Sequence, residues 1–127
     1  MRKNEIQLSD AELEIMNIIW QSGVEITTAE ILKSGVCADW KRTTVSTFLT
    51  RLAEKGAVSV RKEGSTCFYS AVLDKKDYRE KKTKSFIQSF YDGSAKALAM
   101  SLFTSKNLTK EDIAELREMF LKDDGND

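Results

Sequence analysis

A chain of 127 residues with 41% hydrophobic residues, 31% charged residues, zero net charge and no histidine fits one small domain, or a small domain with an extension. The balance excludes a disordered chain, and no apolar run nears the roughly 20 residues that span a bilayer. Without histidine there is no Ser-His or Cys-His pair and no usual zinc site, and no glycine pattern cradles phosphate; neither an enzyme nor a cofactor is expected.

The N-terminal stretch turns acidic after two basic residues and lacks an apolar segment, so no signal peptide, no membrane insertion and a cytoplasmic location are expected. The first helix is announced by Ser9-Asp10-Ala11-Glu12, a capping box with Ser9 at the N-cap and Glu12 at N3, flanked by Leu8 and Leu13 as a hydrophobic staple. Leu13, Met16 and Trp20 form one apolar stripe and Ile15, Ile18 and Ile19 an adjacent one, up to about Gln21. Thr27-Thr28-Ala29-Glu30 repeats the capping box for a short second helix that stops by Gly35, with Ile26 and Ile31 as its staple.

The third helix runs from about Lys41 to Lys55, with Gly56 as its stop. Val45, Phe48, Leu49 and Leu52 are spaced to pack inward, and Thr43, Ser46, Thr47 and Thr50 to face out beside Arg42 and Arg51. A face selected for helix stability would carry Glu, Lys, Gln and Ala instead. Hydroxyls weaken a helix by competing for its backbone, yet they let it approach base edges closely, and threonine methyls pack on thymine methyls. The plainer alternative is an ordinary solvated face.

Val58-Ser59-Val60-Arg61 alternates like a strand, Glu63-Gly64-Ser65 makes a turn, and Thr66 to Val72 returns with Phe68, Tyr69 and Val72. This hairpin is a wing. Arg61 and Lys62 would touch phosphate or enter the minor groove, or else serve as a charged edge that resists aggregation. Tyr69 would donate to a phosphate or cover the hairpin. Trp20 and Trp40 are expected as core anchors, Trp40 fixing the entry angle of the third helix.

Three further helices follow: a charged one to about Tyr91, broken by Asp92-Gly93-Ser94; an apolar one over Ala95 to Phe103; and one capped by Thr109, before a frayed tail from Asp123 to Asp127. About fifty residues in three amphipathic helices make a poor core alone, and a second copy of the chain is the simplest cover.

Charge is segregated. Between Lys41 and Lys62 stand six basic residues against one acid, Glu54, whereas Glu5 to Glu14 holds four acids and no base. A local basic surface serves phosphate contact while a neutral whole limits non-specific binding. Cys37 and Cys67 are too few and too far apart for a disulfide framework or a zinc cage. They have bases nearby and stand either as redox-sensing thiols or as small buried hydrophobes.

In order and spacing the chain resembles the penicillinase-repressor regulators, the BlaI/MecI group. The resemblance covers Leu8 to Glu12 with Met16 and Ile19-Trp20, then Thr28 to Ile31, Asp39-Trp40-Lys41 and Thr44-Val45 to Leu52. It continues through Glu54-Lys55-Gly56, Lys62-Glu63-Gly64, Phe68-Tyr69-Ser70, Phe86 to Ser94, Leu98 to Phe103 and Ile113 to Arg117. It implies a homodimeric repressor of antibiotic-resistance genes on a palindromic operator, with intertwined C-terminal helices. In antibiotic-responsive members it also implies a membrane sensor-protease, acting directly or through a step it triggers, that cuts between an Asn and a Phe. The matching bond here is Leu102–Phe103, where Leu102 stands in place of the asparagine. The paired C-terminal cysteines of the copper-responsive branch are missing, since no cysteine follows Cys67.

The expectation is a mainly α protein: a winged helix-turn-helix over 1–73 and a helical dimerisation region over 74–127. Lys41, Arg42, Thr43, Thr44, Ser46, Thr47 and Arg51 on the third helix and Arg61, Lys62 and Ser65 on the wing are the expected contacts to double-stranded DNA. No metal is expected. A winged helix serving as a protein-protein module and a thiol-based redox-responsive regulator are the alternatives.

Overall fold

The computed structural model describes residues 5–35 and 39–123. Expectations for Cys37 and for the tail beyond Asp123 lie outside the described residues. The element order is α1 (Asp10–Ser22), β1 (Ile26–Thr27), α2 (Thr28–Lys33), α3 (Arg42–Lys55), β2 (Val58–Glu63), β3 (Thr66–Ala71), α4 (Lys75–Tyr91), α5 (Ala95–Thr104) and α6 (Lys110–Asp123). The chain divides into two compact units, one to Tyr78 and one from Arg79, so the division falls inside α4.

In the first unit both capping boxes form in full. The Ser9 N–H donates to Glu12 Oε1 at 2.8 Å while the Glu12 N–H donates to Ser9 Oγ at 3.2 Å. Thr27 and Glu30 repeat the exchange at 2.9 and 3.2 Å. Each satisfies two backbone donors that a helix start leaves open. The core gathers Ile15, Met16 and Ile19 of α1, Ile31 of α2 and Val45, Leu49 and Leu52 of α3, closed from the sheet side by Ile26, Val58 and Tyr69.

The sheet is antiparallel with order β1-β3-β2, and β1 is a strand that the sequence pattern does not announce. Ile26 pairs with Tyr69 and Thr27 with Phe68. Two residues give no alternation to read, and Ile26 and Thr27 were already accounted for as a staple and a cap. β2 and β3 pair from Val58 with Ala71 to Glu63 with Thr66, and Gly64 makes the turn at φ +64°, a conformation costly to residues with a Cβ.

Trp20 and Trp40 are half-buried against this core. The Trp20 indole N–H donates to the Leu73 carbonyl at 2.8 Å, and the Leu8 N–H donates to the Tyr78 hydroxyl at 3.1 Å. Tyr78 is itself buried, so the first turn of α4 packs as part of the first unit. Trp40 meets Phe48 with ring centroids 5.6 Å apart and so braces the start of α3.

The second unit has well-made ends but no buried interior: among the described residues, none from Arg79 onward is buried. Ser94 caps α5 through the Ala97 N–H at 3.0 Å. Thr109 and Asp112 exchange bonds at 3.0 and 2.9 Å at the start of α6. Phe86, Phe90, Leu98 and Leu102 line an open groove of about 620 Å³. Phe90 is 71% exposed, Phe103 59% and Phe120 74%.

Candidate nucleic-acid interface

Helix α3 is set on the core by Val45, Leu49 and Leu52, each fully buried. That fixes its opposite stripe, Thr43, Thr47, Thr50 and Glu54, spaced i, i+4, i+7 and i+11, and all four are exposed. Periodicity alone places the three threonines there, and Glu54 shares their stripe. A carboxylate on that stripe repels phosphate, so it limits the usable face to the first turns of the helix. The Thr47 hydroxyl donates to the Thr43 carbonyl at 2.9 Å, which holds its proton on the helix and leaves its methyl and oxygen lone pairs free.

The two flanks differ. On one, Arg42 is exposed and Ser46 half-buried. Both line a polar cleft of about 380 Å³ with Thr27 and Thr28 at the start of α2, Ser65 in the turn of the wing, and Cys67 and Tyr69 on β3. On the other flank Thr44 is half-buried and Arg51 stacks over Phe48, 5.3 Å from the ring centroid. Thr44, Phe48 and Arg51 therefore share one row next to Trp40.

The start of α3 breaks the rule that α1 and α2 follow. Its N-cap is Lys41, no side chain caps it, and its first turn has no acid and carries Arg42. Cations at a helix N-terminus oppose the helix dipole. The same arrangement leaves open backbone N–H groups next to two cations, an anion site in waiting. Such a breach of local consistency is expected where function overrides stability.

Four of the six basic residues of this region, Lys41, Arg42, Arg51 and Lys62, make no ion pair among the described residues. The other two are committed. Lys55 Nζ lies 2.5 Å from Glu12 Oε1 and donates to the Gln7 carbonyl at 2.7 Å. Burial pushes the Glu12 carboxyl up, but the hydrogen bond from Lys55, the Ser9 N–H and the Lys55 charge together hold it below the usual 4.5. Arg61 donates through Nε and Nη2 to both oxygens of Glu25, each at 2.8 Å. Its guanidinium lies 4.4 Å from the centroid of Phe68, with Glu63 at 3.5 Å. Those bonds hold the Glu25 carboxyl below the usual 4.5 and make the Arg61 proton harder to lose.

Tyr69, expected as either a phosphate donor or a cover of the hairpin, is buried. Burial pushes its phenol up, with the Cys67 sulfur adding to the rise and Thr28 opposing it. Thr27 and Thr28 were missed as cleft residues because their capping role already explained them. Ser65 and Lys62 are exposed on the wing, and Cys67 is half-buried and free. In the second unit Leu102 and Phe103 lie within the last turns of α5, exposed, and the Leu102 carbonyl accepts from the Asn107 N–H at 3.2 Å.

A protein-family model described as penicillinase repressor matches residues 8–122. A penicillinase repressor of Bacillus licheniformis is 37% identical over 114 residues, 89% of this chain and 88% of that protein. The methicillin resistance regulatory protein MecI of Staphylococcus aureus is 30% identical over 116 residues, 91% of this chain and 94% of that protein. The solution structure of the DNA binding domain of the repressor BlaI matches with a TM-score of 0.50 at 41% identity, covering 57% of this chain and 88% of that one. No helix among the described residues is long and apolar enough to cross a membrane.

Proposed function

The chain belongs to the penicillinase-repressor family, and from that premise we propose that it is a homodimeric, sequence-specific transcriptional repressor that binds a palindromic operator. The observation that carries the reading is α3: a stripe of threonines above a buried face, led by an uncapped, cationic N-terminus. Lys41 and Arg42 neutralise phosphates, Thr43, Ser46 and Thr47 meet base edges, and Thr44 and Arg51 position the helix along the backbone. Lys62 and Ser65 bring the wing to the flanking backbone. The N-terminal part, about 1–73 with the anchoring turn that ends at Tyr78, is the DNA-binding domain, and the remainder to 127 is the dimerisation domain.

The dimer is supported by the second unit. Its large apolar side chains, Phe90, Phe103 and Phe120 among them, are exposed in the single chain, and a two-fold partner offers the same surface to cover them. A dimer reads half-sites about 34–36 Å apart, or a multiple, on one face of the duplex. The names of the relatives support antibiotic-resistance genes as targets and a cytoplasmic protein. Release by a membrane sensor-protease would act in α5 at Leu102–Phe103. That bond lies in a hydrogen-bonded helix, so cutting requires the end of α5 to unwind first.

Selection of fragments from the source genome by the full chain tests the reading. Enrichment of short inverted repeats upstream of resistance genes, with two chains bound per site, is the expected result. Retention of no DNA, or salt-insensitive retention, favours a protein-protein module instead.

A further inference from the structure

Arg61 was a candidate phosphate contact, yet its surroundings point elsewhere. In β2 successive side chains point to opposite faces of the sheet. Arg61 lies across from Phe68, which lies across from Thr27, so these three share one face. Lys62 lies across from Cys67, on the other face with Tyr69. Cys67 and Tyr69 line the cleft that reaches Arg42 and Ser46 of α3. Lys62 thus shares a sheet face with Cys67 and Tyr69, and Arg61 lies on the opposite face.

On that face Arg61 is fully engaged. β3 lies between the two outer strands, so the pair formed by Arg61 of β2 and Glu25, just before β1, crosses the central strand over the Phe68 ring. Glu63 adds a second carboxylate at 3.5 Å. One guanidinium faces two carboxylates, and the group is net negative. A phosphate taking Arg61 would have to displace a bidentate partner and then face both freed carboxylates.

We propose that Glu25 and Arg61 form a clamp that ties the wing to the strand before α2 and withholds Arg61 from DNA, so that Glu25 limits the affinity and salt dependence of operator binding. The proposal rests on the DNA-binding reading above. Glu25 is a positioning residue in it, acting through Arg61 and touching no base. The two-residue β1 supplies little pairing of its own, and the clamp is what joins it to the far strand of the hairpin.

The test uses the full chain, a fragment it retains from the source genome, and a random-sequence duplex of equal length, with affinity measured over a range of salt. Glu25→Gln is expected to steepen the slope of log affinity against log salt by about 0.9 and to tighten binding roughly five- to tenfold at 0.1 M salt, the contribution of one added phosphate contact. Arg61→Ala is expected to keep the parent slope, and the double variant to return to it. A flatter slope for Arg61→Ala, or an unchanged slope for Glu25→Gln, overturns the proposal. Should the parent chain bind neither DNA, the repressor reading falls and the clamp is judged by NMR titration. A Glu25 carboxyl that titrates below its usual range in the parent and returns to it in Arg61→Ala supports the clamp; an unshifted carboxyl overturns it.

Discussion

Lys55, in the last turn of α3, donates to Glu12, in the first turn of α1, and the carboxylate it reaches is only 2% exposed. One oxygen of Glu12 thereby serves two purposes. It caps α1 through the Ser9 N–H and it fixes the C-terminal end of α3 against α1. The angle at which α3 leaves the core depends on this contact as well as on Leu49 and Leu52. The Lys55 side chain, 37% exposed, keeps part of its hydration, which limits the cost of burying the pair.

The pair makes stability depend on pH. The folded-state pKa of Glu12 lies below its unfolded value, so its contribution is complete above the unfolded value of about 4.5 and disappears as pH falls through the folded value. Urea midpoints of the parent and Glu12→Gln should differ most near neutrality and converge in acid. At pH 7 the variant is expected to be less stable by about 2 kcal/mol, since it leaves the Lys55 ammonium without its counter-charge. A constant difference across pH would mean that the carboxylate acts only as a cap.

Lys41→Ser should make the protein more stable and a weaker DNA binder. Serine supplies the N-cap bond that α3 lacks, worth about 1 kcal/mol. The change also removes one cation, which flattens the salt dependence by roughly one counterion. Thermal denaturation and a salt series on one DNA fragment measure the two effects. If stability and affinity rise together, Lys41 is not at the interface.

Thr47→Ala is expected to cost about 1–3 kcal/mol on the operator and little on random-sequence DNA. Thr47 is exposed and bonds only its own helix, so the variant keeps the fold. Its methyl and hydroxyl oxygen are what it offers a base. Equal losses on the two DNAs would remove Thr47 from the residues that read sequence.

In the proposed dimer, Phe120→Glu should separate the subunits without unfolding them. The side chain is 74% exposed in the single chain, so nothing within the chain depends on its burial. Buried in a dimer it contributes on the order of 2 kcal/mol, and a carboxylate there adds a desolvation cost. Sedimentation equilibrium should show association weakened by at least tenfold in midpoint concentration. An unchanged association would place the interface on another face of these helices.

Much of the architecture is legible in the chain because its signals are short-range. Ser9 with Glu12 and Thr27 with Glu30 act across three residues, and Val45, Leu49 and Leu52 repeat within one helix. Those spacings define where helices start, stop and turn their faces. The threonine stripe of α3 was readable for the same reason: it lies opposite a buried stripe that periodicity already specifies.

Side-chain periodicity and capping within a few residues specify the helices, the wing and the side of α3 that faces outward. Packing between distant segments sets which of the basic residues are paired within the chain. Lys55 and Arg61 look like members of one basic patch, yet their partners Glu12 and Glu25 stand 43 and 36 positions away. Tyr78 likewise joins the first unit through Leu8, 70 positions earlier. Local spacing carries no record of such pairings. They exist because packing of the helices on the sheet brings a carboxylate within hydrogen-bond reach of a particular cation and leaves its neighbour in solvent.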